Sequence, residues 1–147
     1  MRDTKNLRVL QRAHALAVRV DAVTAGPQWR KRAKLVSQLR NSAQSVPANI
    51  TEGCGHSSRL EYARFLQQAL ASNAETSYHL KFARDVNALS IALHAECDNE
   101  NIVVRRMLAK LLRVVREELR EDKNRKCEAV TVRPGNTSEA ERRRVES

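Results

Sequence analysis

At 147 residues the chain is long enough to bury one core and short for two domains. Its 41% apolar fraction is almost wholly aliphatic, since Trp29, Tyr62, Phe65, Tyr78 and Phe82 are its only aromatic residues. A net charge of +10, carried by 20 Arg and 7 Lys, invites a polyanionic partner, although arginine-rich chains also arise simply from GC-rich coding.

The first predicted helix covers residues 6–24. Leu10, Ala13, Leu16, Ala17, Val20 and Val23 recur at steps of three and four, which places them on one helical face. Lys5, Arg8, Arg12 and Arg19 fall on another stripe, and Gly26-Pro27 ends the helix. A second helix is expected to begin at residues 29–31, with Leu35, Leu39, Ala43, Val46 and Ile50 inward. Pro47 removes one backbone donor inside that pattern, yet the periodicity runs on, so a single kinked helix ending at Gly53 and Gly55 is expected. Ser58-Arg59-Leu60-Glu61 has the form of a capping box and opens the third helix, which should reach about residue 86. Tyr62, Phe65, Leu66, Ala69, Leu70, Ala74 and Leu80 supply its core face. The fourth helix should span residues 90–122, weakest over 97–101, with Val104, Leu108, Leu111, Val115 and Leu119 inward. Residues 123–147 lack periodicity and contain Pro134-Gly135-Asn136, so a disordered basic tail is expected. These elements predict an all-α, up-down four-helix bundle over residues 1–122.

No apolar run approaches the ~20 residues that cross a bilayer, and the start of the chain has no signal-peptide pattern. A cytoplasmic protein without membrane contact is therefore expected. Cys54, Cys97 and Cys127 are odd in number and form no CxxC pair, which argues against a disulfide scaffold or a zinc ribbon. There is no G-x-S-x-G elbow, phosphate loop or HExxH, and His14, His56, His79 and His94 are scattered. Neither catalytic residues nor a cofactor are expected.

Two features exceed what packing alone asks. Residues 1–56 carry a net charge of +7, concentrated on the first helix and on Arg30-Lys31-Arg32-Ala33-Lys34. The second helix also carries a polar line, Ser42, Ser45, Asn49 and Glu52, beside its apolar stripe. The third offers Gln68, Ser72, Glu75 and His79 as a counterpart, with Arg40 and Asp85 as charged members. Such a line suits a structural network or subunit contact, a ligand or nucleic-acid site, or a carboxylate metal centre. The metal reading lacks the Glu-x-x-His spacing of di-iron bundles, because Glu75 and His79 stand one residue too far apart.

The string SQLRNSAQSVPANITEG at residues 37–53 is followed by EYARFL at 61–66 and by Ala69, Ser72, Glu75, Leu80, Ala83 and Asp85. Over roughly residues 7–120 this resembles the four-helix bundle proteins encoded in intervening sequences of bacterial large-subunit ribosomal RNA genes. The resemblance implies a bundle with a proline-containing second helix that assembles into a ring, a pentamer by preference. It also implies kinship with the nucleic-acid-binding accessory bundles of diversity-generating retroelements. The sequence departs from the family in placing His56 after Gly55, where a basic residue is usual, and in its extension from residue 123.

The expectation is a non-enzymatic homo-oligomer that binds structured RNA, or else DNA, through phosphates. Arg8, Arg12, Arg19, Arg30, Lys31, Arg32 and Lys34 are the candidate contacts. Scarce aromatic residues argue against a stacking platform for single strands. Arg40, Ser42, Ser45, Asn49, Glu52, Ser72, Glu75 and Asp85 are assigned to a structural network or subunit contact. The rival reading is a scaffold for a protein partner, with the charge incidental.

Overall fold

The computed structural model describes residues 7–131. Four helices, α1 (Arg8–Val23), α2 (Ala33–Gly55), α3 (Arg59–Asp85) and α4 (Ile91–Thr131), are joined by short connections. Each helix packs on its chain neighbours and α1 closes the ring against α4, with α2–α3 the most extensive contact. No strand occurs among the described residues, so the architecture is the all-α up-down bundle expected.

The boundaries differ from the sequence reading where local geometry intervenes. Residues 27–29 form a separate 3-10 turn that buries Trp29, so α2 starts at Ala33 rather than at residues 29–31. The indole Nε1–H of Trp29 finds no partner among the described residues. Helix α2 is unbroken through Pro47, one helix rather than two. Ser58 accepts a hydrogen bond from the Glu61 amide and caps α3. Ser90 Oγ accepts from the Leu93 amide at 3.1 Å and opens α4 in the same manner. The 97–101 stretch, expected to be weak, is continuous helix because Cys97 and Asn101 are both buried.

Helix α4 also runs nine residues past the expected end at 122, to Thr131. Residues 123–131 touch little of the core, but Glu, Lys and Arg favour helix, and Arg125 pairs with Asp122 one turn back at 2.5 Å. The remainder of the expected tail, residues 132–147, lies outside the described residues, as do Asn6 and Lys5.

The core is divided. Val9, Ala13, Val46, Ile50, Leu66, Val104 and Leu108 belong to one apolar cluster, at the end of the bundle where α1 begins. Leu16, Val20, Trp29, Leu39, Leu80, Ala83, Leu89 and Cys97 belong to the other, at the opposite end. Between them at mid-height lie the buried polar residues Ser42, Asn73, Thr76 and Asn101. Near the first end, Gly53 lets α2 and α3 approach closely, for a Cβ there would sit 2.8 Å from Phe65 Cβ and 3.0 Å from Tyr62 Cδ2.

Candidate nucleic-acid interface

The polar line on α2 meets α3 inside the subunit. Thr76 Oγ1 lies 3.0 Å from Ser42 Oγ, and Ser42 Oγ donates to the Leu39 carbonyl at 3.1 Å. Ser72 Oγ reaches Ser45 Oγ at 2.9 Å, and Asn49 Nδ2 donates to the Ser45 carbonyl and hydroxyl at 2.8 and 3.0 Å. Small side chains at these positions let the two helices satisfy each other's hydroxyls without water.

Four of the named residues are placed elsewhere. Glu52 is exposed and lines a groove between α1 and α2. Glu75 faces solvent beside His79, and Asp85 pairs with its neighbour Arg84 at 2.9 Å. Arg40 bridges to α1, donating to Thr24 Oγ1 at 2.7 Å and approaching Asp21 Oδ1 at 3.3 Å. Of the line Gln68, Ser72, Glu75 and His79 expected on α3, Ser72 meets Ser45 and His79 is buried, whereas Gln68 and Glu75 are exposed because the helix turns 69, 73, 76, 80 and 83 inward.

The strongest buried polar contact went unread in the sequence. Asn73 Nδ2 donates to Asn101 Oδ1 at 2.8 Å and to the Asn101 carbonyl at 3.0 Å, and Asn101 Nδ2 returns a bond to the Asn73 carbonyl at 2.9 Å. The two asparagines lie 28 residues apart on different helices, and neither belongs to a polar line of helical period. A polar residue breaking the inward stripe of α3 was the available signal. Among the described residues no group of three His, Cys, Asp or Glu side chains gathers as metal ligands would.

The seven candidate cations do not form one patch. Arg12 pairs with Glu100 of α4 at 3.8 Å, and Arg19 pairs with Glu96. Arg32 donates to the Val86 carbonyl at 2.9 Å and so ties the 3-10 turn to the end of α3. Arg8 is exposed at the start of α1, whose 16 residues set it about 24 Å from the other end of the helix. Arg30, Lys31 and Lys34 are exposed together at that other end, with no acidic partner among the described residues.

Tyr78 and Phe82 come up from α3 beside this cluster. They are 61% and 43% exposed, their ring centroids lie 6.4 Å apart, and they line one cleft with Lys31, Arg32, Lys34 and Gln38. The sequence reading assigned them no role; two aromatics at i, i+4 off the apolar stripe that holds Leu66, Ala69 and Leu80 were the available signal. Helix α4 contributes further exposed cations, Arg105, Arg106, Lys110 and Arg113, without acidic partners among the described residues. Four acids of α4 are engaged elsewhere: Glu96 and Glu100 with α1, and Glu118 and Asp122 with Arg59 of α3 at 3.0 and 2.5 Å.

No helix of the described residues is long and apolar enough to cross a membrane. A crystal structure of a protein with unknown function from the S23 ribosomal protein family of Bacteroides thetaiotaomicron is similar in fold. Its TM-score is 0.65 at 21% identity, over 71% of this chain and 97% of that one. No curated protein matches the sequence. The family described as 23S rRNA-intervening sequence protein matches residues 5–110, and the chain belongs to that family.

Proposed function

We propose that this protein is a non-enzymatic, self-associating bundle that binds structured nucleic acid, RNA before DNA, in the cytoplasm. The observation that carries the reading is the cluster of Arg30, Lys31 and Lys34, exposed and without acidic partners among the described residues. Cations already matched to carboxylates would have to break those pairs before meeting a phosphate, whereas these three release only counterions. Arg32 serves the same end indirectly by holding the turn that presents them.

Self-association rests on the family's ring assembly and on a groove of about 960 Å³ between α1 and α2, walled by Leu10, Ala17, Val18, Pro47 and Ala48. A second copy is the occupant assigned to it, and a pentamer is the proposed count. Light scattering of purified protein at micromolar concentration tests this directly; a single monomer mass removes the ring from the reading.

Nucleic-acid binding is tested by titrating a structured RNA and a DNA duplex across a salt series. A steep, linear fall of log affinity with log salt, persisting to physiological strength, is expected. The R30E/K31E/K34E variant spares the structural Arg32 and should lose retention at that salt. Unchanged retention in the variant, or wild-type binding that vanishes by about 0.15 M salt, would refute the basic-face reading and favour a protein partner.

A further inference from the structure

Tyr78 stands between two basic clefts. On one side, with Phe82, it lines the cleft of about 480 Å³ that holds Lys31, Arg32 and Lys34. On the other it lines a cleft of about 340 Å³ that includes Lys81, Arg84 and Arg105. Among the described residues Asp98 is the one acid lining either cleft, and it accepts a hydrogen bond from Ser77 at 2.9 Å; Arg84 is paired with Asp85. Lys31, Lys34, Lys81 and Arg105 have no acidic partner among the described residues. The two rings tilt 40° to each other at 6.4 Å, so they form a ridge of two separate faces rather than a closed stack.

Two exposed aromatic rings side by side, flanked by cations, offer flat apolar faces for a ligand to cover. An apolar protein surface would leave the flanking cations unmatched. A duplex would match the cations but hides its base faces within its own stack. Unpaired nucleotides satisfy both, because every base offers a π-face and every linkage a phosphate.

The scarcity of aromatic residues weighs against a stacking platform in the sequence, but two of the five stand exposed side by side here. We propose that Tyr78 and Phe82 form such a platform for unpaired nucleotides. The backbone crosses the ridge from Lys31 and Lys34 on one side to Lys81 and Arg105 on the other. This rests on the nucleic-acid reading above and adds the form of ligand, a loop, bulge or single strand read by its base faces rather than base edges. The shared chemistry admits RNA and single-stranded DNA alike.

Fluorescence anisotropy with a labelled oligouridine, an oligothymidine of equal length, an abasic strand of equal length and a blunt RNA duplex tests it. The Y78A/F82A variant should bind the two base-bearing strands roughly ten- to a hundredfold more weakly than the parent. Its affinity for the abasic strand and the duplex should not change, nor should the slope of log affinity against log salt. K31A/K34A should instead weaken all four ligands and flatten the single-strand slope by roughly 1.4, about 0.7 for each phosphate that is no longer neutralised. A preference for oligouridine over oligothymidine would assign the platform to RNA, and equal binding to either strand; both agree with stacking. Unchanged strand binding by Y78A/F82A alongside a weakened K31A/K34A would overturn the platform and leave the basic face standing. Equal losses on duplex and strand would also overturn it. If neither variant differs from the parent, the platform falls and so does the basic face at Lys31 and Lys34 on which it rests. Both rings are exposed, so unchanged far-UV circular dichroism should accompany the double variant.

Discussion

The Asn73–Asn101 pair makes an asymmetric prediction. Asn73→Leu removes the donor to Asn101 Oδ1 and leaves that oxygen buried without a partner, while Asn101 Nδ2 keeps its bond to the Asn73 carbonyl. An orphaned buried acceptor costs about 1–3 kcal/mol. Asn101→Leu is milder, because Asn73 Nδ2 retains the Asn101 backbone carbonyl at 3.0 Å; a loss of about 1 kcal/mol is expected. The N73L/N101L double variant orphans neither amide and joins the two apolar clusters through side chains of the same branching. It should lie within about 1 kcal/mol of the parent, or above it, giving a coupling energy of about 1–4 kcal/mol. Urea unfolding followed by circular dichroism measures this, at one fixed chain concentration because self-association would add its own contribution. A loss of about 2 kcal/mol moves the midpoint by about 1 M urea. Two results would refute the reasoning: additive losses in the double variant, or Asn101→Leu costing more than Asn73→Leu.

The two glycines at the end of α2 should respond oppositely to alanine. Gly53→Ala collides with Phe65 and Tyr62 and should cost about 1–2 kcal/mol net, whereas Gly55→Ala, open on all sides, should gain about 0.4–1 kcal/mol in the same unfolding assay. Thiol titration of the folded chain should label Cys127 alone, and denaturant should release Cys54 and Cys97. Burial raises the Cys97 thiol above its ordinary value, a rise opposed by Arg19 and reinforced by Glu96 and Asp98. Its folded pKa therefore exceeds its unfolded one, so its contribution is complete below the ordinary thiol range and lost as pH climbs through the folded value. Stability should decline above about pH 9, and less steeply in Cys97→Ala. Trp29→Phe removes the orphaned indole N–H along with some area, so it should cost under about 1 kcal/mol, against about 3–5 kcal/mol for Trp29→Ala.

The helices were legible because apolar spacing and punctuation agree. Gly26-Pro27 closes α1, Ser58 with Glu61 opens α3, and the α2 stripe passes through Pro47 without changing phase. The polar line of α2 was legible for the same reason, since Ser42, Ser45 and Asn49 keep a helical period beside an apolar one. Its partner on α3 was not. Only Ser72 of the expected line hydrogen-bonds to α2, at Ser45. Polar Asn73 and Thr76 occupy the inward face, so the apolar pattern is too weak to set the phase, and Gln68 and Glu75 are left outside. The separate 3-10 turn was hidden because Trp29 can end one element or begin the next. The length of α4 depended on helix propensity without burial, which periodicity does not see.

Charge was the least legible property, because summing it by segment ignores which helices face each other. Residues 89–122 total −1, yet four of their seven carboxylates pair with α1 and α3, and none pairs with Arg105, Arg106, Lys110 or Arg113. Residues 1–56 total +7, yet Arg12 and Arg19 are matched across the α1–α4 seam. These exposed pairs contribute little stability, about 0–1 kcal/mol each, but they change what a phosphate meets. Replacing Arg12 and Arg19 by alanine removes two positive charges and frees two carboxylates, so its long-range effect is as large as that of removing Lys31 and Lys34. At physiological salt that long-range part is screened beyond about 8 Å, and only direct phosphate contacts keep their effect. The R12A/R19A and K31A/K34A variants should therefore weaken RNA binding comparably at low salt and diverge as salt rises. Near about 0.15 M, K31A/K34A should bind less well and R12A/R19A should approach the parent. Equal losses at every salt concentration would mean that the α1 stripe, ion pairs included, lies within the contact surface.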